Sequence, residues 1–240
     1  MTDSHLWLRH SCILNPHSSM KSVLTSLAVL GFSILPVKGT VLTFDVSGLG
    51  AGVDLPQGYG DRVTATTMGT FSYGAAGGFT PNIEVSYAPL SGGNLQFWTT
   101  GYSELVNVVE NEFDGDNGWL ITIKADAGFF VQLSGFDLGN FGADVVLPGI
   151  TVTDGNGNTL ETRSNISIPS PGNGNHVDVD FNTPLAANTL VIAINTTGLG
   201  GQSDNIGVDN ILFGQIVAIP EPGLCALFGL AGLLGVRRRR

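Results

Sequence analysis

Residues 119–125 read WLITIKA, with Ile121 and Ile123 set against Thr122 and Lys124. Successive side chains of a strand point to opposite faces, so this alternation predicts one face in a core and the other in water. Residues 176–181, HVDVDF, repeat the pattern with harder contrast: Val177, Val179 and Phe181 alternate with His176, Asp178 and Asp180. Outward from these two segments the same texture recurs in LTFDV (42–46), RVTATT (62–67), NIEVSYA (82–88), LQFWTT (95–100), FFVQLSGFDL (129–138), ITVTD (150–154), LVIAIN (190–195) and VDNILFGQI (208–216). Between them lie DGDNG (114–118), DGNGN (154–158), SPGNGN (170–175) and TTGLGG (196–201), runs with the Asn, Asp and Gly that tight turns require. No segment carries a helical period, and the connections are too short for crossover helices. The pattern predicts an all-β body: an antiparallel two-sheet sandwich of jelly-roll type.

Charge narrows the partners. Between Thr40 and Val217 there are eighteen acidic residues and three basic ones, Arg62, Lys124 and Arg163, a net charge of −15. Such a body repels nucleic-acid phosphate and anionic lipid, and no nucleic-acid partner is expected. Cys12 and Cys225 both lie outside this span, so the fold has neither a disulfide framework nor a cysteine metal site to draw on.

Residues suited to catalysis are few, and no catalytic residue is assigned. His176 is the one histidine of the body, and no nucleophile elbow accompanies it. One histidine cannot assemble a zinc site of nitrogen and sulfur ligands. GAAGG (74–78) lacks the strand-to-helix setting of a phosphate loop. Glu84, Glu104, Glu110, Glu112 and Glu161 are available for glycoside hydrolysis, but their spacing singles out no acid and nucleophile. Tyr59, Tyr73, Tyr87, Trp98, Tyr102 and Trp119 are available as a sugar-stacking platform or as core. Two runs offer oxygen ligands for a structural Ca²⁺: Asp114 and Asp116, with Glu110 and Glu112 just upstream, and Asp154, Asn156 and Asn158 at alternate positions. Neither has the bidentate glutamate at position twelve of a calcium loop, where Ala125 and Asn165 stand, so an EF-hand is rejected. The other reading of both runs is an ordinary hairpin turn.

Both ends read as addressing segments. From Met20 the chain runs through Lys21, an apolar stretch Val23–Leu35, and Val37-Lys38-Gly39, the layout of a secretory signal peptide cut near Thr40. Residues 1–19 carry no recognisable pattern and are read as a mis-annotated leader, with 20–39 as the signal helix and 40–218 as the folded domain. At the other end, 219–240 hold Pro220-Glu221-Pro222, an apolar run Leu224–Val236, and Arg237, Arg238, Arg239 and Arg240. The apolar run would span about 20 Å as a helix, a short transmembrane segment held with its arginines in the cytoplasm. The two prolines keep Glu221 extended.

This tripartite tail resembles the PEP-CTERM sorting signal of Gram-negative-type bacteria. The resemblance covers 219–240. It implies export, transient residence in the cytoplasmic membrane, processing by a membrane-embedded exosortase, and a final place at the cell surface or outside the cell alongside extracellular polysaccharide. One departure is Cys225, where Leu or Ala is more usual. GVDNILFGQI (207–216) also resembles the last strand of galactose-binding-like and carbohydrate-binding jelly rolls, a likeness that implies a structural calcium involving Asp45 and Asp209. The expectation is a non-catalytic exported protein with a structural or adhesive role. The alternative is a module that binds exopolysaccharide.

Overall fold

The computed structural model describes residues 39–44, 50–64, 78–172 and 175–218. The expectations for 1–19, for the signal helix and for the tail at 219–240 fall outside these residues, as does Asp45. Among the described residues no helix is long and apolar enough to cross a membrane.

Among the described residues there are twelve strands and one short 3₁₀ turn, Gly200–Gln202. One sheet holds β3 (Ile83–Pro89), β6 (Trp119–Ala125), β11 (Thr189–Asn195), β8 (Val145–Asp154) and β9 (Thr159–Ile168), in that order. The other runs β10 (Val177–Ala187), β7 (Phe129–Asn140), β12 (Ile206–Val217), β5 (Val108–Asn111), β4 (Leu95–Trp98) and β2 (Val53–Asp54), with β1 (Thr40–Leu42) also paired to β12. Every paired ladder is antiparallel. Val208 of β12 pairs with Val109 of β5, and further along the strand Ile211–Phe213 pair with β1. The described residues are therefore all-β, two antiparallel sheets that form a sandwich.

Alternation sets the register. Trp119, Ile121 and Ile123 are fully buried while Thr122 is half-buried and Lys124 exposed. Ile192 sits opposite Ile121 on one side and Val152 on the other, so three β-branched side chains form a row across three strands. A one-residue slip would turn all three toward water, which is why the register is strongly specified. The facing sheet contributes Val131, Leu133, Leu138, Val179, Val208 and Phe213 to the same continuous core. Phe44, Tyr59, Tyr87 and Phe97 close one region with ring centroids 5.0–6.4 Å apart. Burying each such side chain contributes roughly 1.5–3 kcal/mol.

Besides the two-residue β2, two strands escape the sequence pattern, for different reasons. β9 is an edge strand bonded only to β8, and most of its side chains face solvent, so its partner rather than its own apolar stripe makes it a strand. β5 is buried at all four positions, and Glu110 and Asn111 among them erase the alternation. RVTATT contributes one described bridge, Val63 to Thr80, before the description stops at residue 64.

Candidate functional site

Two polar clusters lie on the seven-stranded sheet. The first grows from the segment that alternates Val with Asp. Register brings Asp178 of β10, Asp137 of β7 and Asp209 of β12 side by side across three strands. Like charges directly opposite one another destabilise a sheet unless something compensates them. His176 supplies the compensation. Its Nδ1 lies 2.6 Å from Glu104 Oε1, its Nε2 lies 2.8 Å from Asp178 Oδ1 and 3.7 Å from Asp137 Oδ2. Its backbone N–H donates to Glu104 Oε2 at 2.8 Å. Asn210, in a left-handed conformation at a bulge of β12, donates through Nδ2 to Asp137 Oδ2 at 2.8 Å, and its N–H donates to Asp209 Oδ1 at 2.6 Å.

Donor atoms of Asp137, His176 and Asp178 all lie within 4.8 Å of one another, a spacing that suits a metal ion. Here the His176 ring itself bridges the carboxylates, with Nδ1 engaged by Glu104 and Nε2 by Asp178. Burial pulls the His176 pKa down, but Glu104, Asp137 and Asp178 outweigh it and hold it above the usual histidine range. Glu104 shifts downward in concert: its partial burial opposes the shift, while its own N–H and His176 favour the carboxylate. Folding therefore takes up a proton here. The stabilisation is fully present below the unfolded histidine value of about 6.5 and is lost as pH rises through the raised folded value. His176→Gln is expected to cost about 1 kcal/mol near pH 5.5, the upper range for ion pairs of this exposure, and progressively less above pH 7. Urea unfolding across that range measures it, and a cost independent of pH would refute the assignment.

The second cluster lies on the outer side of β5. Val109 points into the sandwich, while Val108 packs against Tyr102 and Leu105 in a separate small core. Glu110, two residues on from Val108, shares that outer side and is fully buried. Gly139 and Gly207 face each other across β7 and β12, and a Cβ on either would strike Tyr102. Their bareness lets the Tyr102 ring lie against the sheet, where its hydroxyl donates to the Asp204 carbonyl at 3.0 Å. Burial, then Glu112 and Asp204, push the Glu110 carboxyl up to about 9. Asp204 is also raised, by burial and by Asp114 and Glu112.

The two expected calcium runs have distinct geometries. Asp116 is buried and accepts from the Ser91 hydroxyl, from Asn111 Nδ2 and from the Asn117 N–H at 2.7 Å, while neighbouring Asp114 is exposed. Asp154 Oδ1 accepts from the N–H groups of Asn156 and Asn158 at 2.8 and 2.9 Å, and Oδ2 accepts from Asn158 Nδ2 at 2.8 Å. That arrangement closes the β8–β9 turn with the carboxylate oxygens of Asp154 already engaged. Asp209 is almost wholly buried.

The remaining glutamates are dispersed. Glu84 pairs with Arg62 at 2.6 Å and Glu161 with Arg163 at 3.4 Å. Of the six aromatic residues offered by the sequence, Tyr59, Tyr87, Tyr102 and Trp119 are buried, Trp98 is half-buried and Tyr73 lies outside the described residues. Sequence reasoning passed over Asp137 and Asp204 altogether. No local signal marks either: Asp137 matters through its strand neighbours, and Asp204 through a loop contact with residues a hundred positions away.

No protein-family model matches the chain, and no curated protein matches it either.

Proposed function

We propose that the chain is an exported envelope or extracellular-matrix protein, delivered by its C-terminal tail, whose sandwich serves a structural or adhesive role without catalysis. The observation that carries the reading is the order Pro220-Glu221-Pro222, apolar run, Arg237–Arg240. The fold is compatible with processing at both ends. The first ladder starts at Thr40, where the leader reading ends. The last strand stops at Val217, and the Ala218 N–H closes it by donating to the Gly128 carbonyl at 2.8 Å.

The proposal extends to topology. Strands β5–β12 follow the path of a jelly roll: β5-β12-β7-β10 in one sheet faces β6-β11-β8-β9 in the other, with β1–β4 as additions. A second reading, binding of extracellular polysaccharide, is favoured by one cleft of about 460 Å³. It sets exposed Phe130 beside Asp154, Asn156, Asn188 and Thr189, an apolar face among polar groups.

The test follows tail processing in a bacterial host that carries an exosortase. The wild-type product should begin near Thr40 and lack Arg237–Arg240. Four arginines resist passage because each costs at least ~2.5 kcal/mol at the bilayer centre. Replacing all four with glutamine should abolish membrane retention, and Glu221→Ala should leave insertion intact while cleavage falls at least about tenfold, a barrier change of about 1.4 kcal/mol. Normal processing of both variants, or a mature product still ending in Arg240, would overturn the proposal.

A further inference from the structure

We propose that Glu110, Glu112, Asp114 and Asp204 form a calcium site on the outer side of β5, beside Tyr102. Four acidic residues in proximity would not by themselves make a site. The decisive observation is a buried carboxyl with no donor to hold it. Glu110 is fully buried, and its carboxyl oxygens meet no N–H or hydroxyl donor, only the side chain of another acid, Glu112. Asp204 Oδ1 is likewise buried and unpartnered. Three buried oxygen atoms therefore lack any donor, whereas buried carboxylates are ordinarily paired or bound to a metal.

The surroundings gather further oxygens at the same place. Glu112 follows Glu110 by two residues on the same side of the chain. The segments on either side of the site are fastened together: the Gly115 N–H donates to the Ser203 hydroxyl at 2.8 Å, and that hydroxyl donates to the Phe113 carbonyl at 3.3 Å. A Cβ on Gly201 would lie 3.7 Å from Asp114 Oδ1, which puts that carboxylate against the 3₁₀ turn leading to Asp204. Tyr102 fixes the Asp204 backbone from the other side. None of the body's three basic residues is paired with any of the four carboxylates: Arg62 is bonded to Glu84 and Asp126, Arg163 to Glu161 and the Asp180 carbonyl, and Lys124 belongs to β6 of the opposite sheet.

The donor set selects the ion. Every ligand is a hard oxygen, with no imidazole or thiolate, so zinc and copper are disfavoured. Carboxylates from two chain segments, one set on a strand and the other in a turn, suit the six to eight flexible oxygen ligands of calcium better than the strict octahedron of magnesium. The site stands apart from the reading of the tail and would exist whether or not that reading holds.

Thermal unfolding of the full chain in mild detergent, first stripped with chelator, tests the proposal with Ca²⁺ itself as probe and Mg²⁺ at equal ionic strength as control. Calcium at one hundred times its Kd should raise Tm by about 5–10 °C, and magnesium by much less. Glu110→Gln should melt in chelator near the wild-type temperature, since a neutral amide replaces a carboxyl that burial and its acidic neighbours already hold protonated at neutral pH, and should lose the calcium increment. Asp204→Asn should lose most of it and serves as a second probe if Glu110→Gln does not fold. Asp154→Asn, in the β8–β9 turn, should keep it. A wild-type Tm indifferent to millimolar calcium would overturn the proposal. So would an increment that survives Glu110→Gln and Asp204→Asn, or one that disappears with Asp154→Asn.

Discussion

Gly118→Ala is expected to destabilise the sandwich by about 4 kcal/mol or more, enough to leave little folded protein. Two independent penalties meet at this residue. Its φ of +127° is a conformation that side-chain-bearing residues rarely adopt. A Cβ there would also drive into the Ile194 carbonyl oxygen and approach the Ile194 carbonyl carbon to 3.0 Å. Neither atom can move cheaply. Ile194 is paired to Trp119 in β6 and to Ile150 in β8, so relief would have to pull apart the middle of a sheet. The Gly118 carbonyl also accepts from the Leu90 N–H at 2.8 Å, tying the same peptide to the end of β3. Gly115→Ala, three residues earlier, separates the two penalties. Its φ is +78°, but a Cβ there meets nothing within 4 Å, so only the backbone cost of about 1–2 kcal/mol applies. Urea unfolding of both variants measures the difference through the midpoint at constant slope. Equal losses at the two positions would refute the steric argument.

Asp116→Ala should cost about 3–5 kcal/mol, because a buried carboxylate disappears and its donors remain. Ser91 Oγ, Asn111 Nδ2 and the Asn117 N–H all point at it. The Asp116 carbonyl is also used, accepting from the buried Thr196 hydroxyl at 2.8 Å. The residue thus joins the turn before β6 to the segments after β3 and β11. Asp116→Asn keeps one acceptor oxygen but presents an amide donor to the Asn111 or Ser91 donor, and should recover part of the loss, leaving about 2 kcal/mol. Chemical denaturation of the full chain measures both. If Asp116→Ala lost less than Asp116→Asn, the carboxylate would not be the hub of this network.

The neighbouring residues Asp114 and Asp116 show why the candidate sites were only half legible. In sequence they are equivalent members of one acidic turn. In the fold one is exposed and faces the 3₁₀ turn, and the other is buried among three donors. The distinction depends on which distant segments arrive on each side, and no local pattern encodes that. His176 behaves similarly. Its alternating strand was legible, but Glu104 and Asp137, which fix its charge, come from a loop and a strand dozens of residues away. Glu110 is the extreme case, since a glutamate in a short segment reads as exposed. It is buried because Gly139 and Gly207 let Tyr102 cover the outer side of the sheet.

The sequence by itself determined the class of fold and the faces of its strongest strands. Period-two alternation in 119–125 and 176–181, with turn residues between the strand-like segments, leaves an antiparallel sheet as the way to bury one face and wet the other. It also determined the acidity of the body and the order Pro-Glu-Pro, apolar run, arginines in the tail. Only the tertiary structure decided that 159–168 is a strand, because an edge strand borrows its ladder from a neighbour. Only it aligned Asp178, Asp137 and Asp209 across three strands, and only it left the Glu110 carboxylate buried without a donor. Alternation is a local property of the chain, and it specifies which side a residue faces. Which residues then meet on that side is set by strand order, and strand order joins parts of the chain that no local pattern relates.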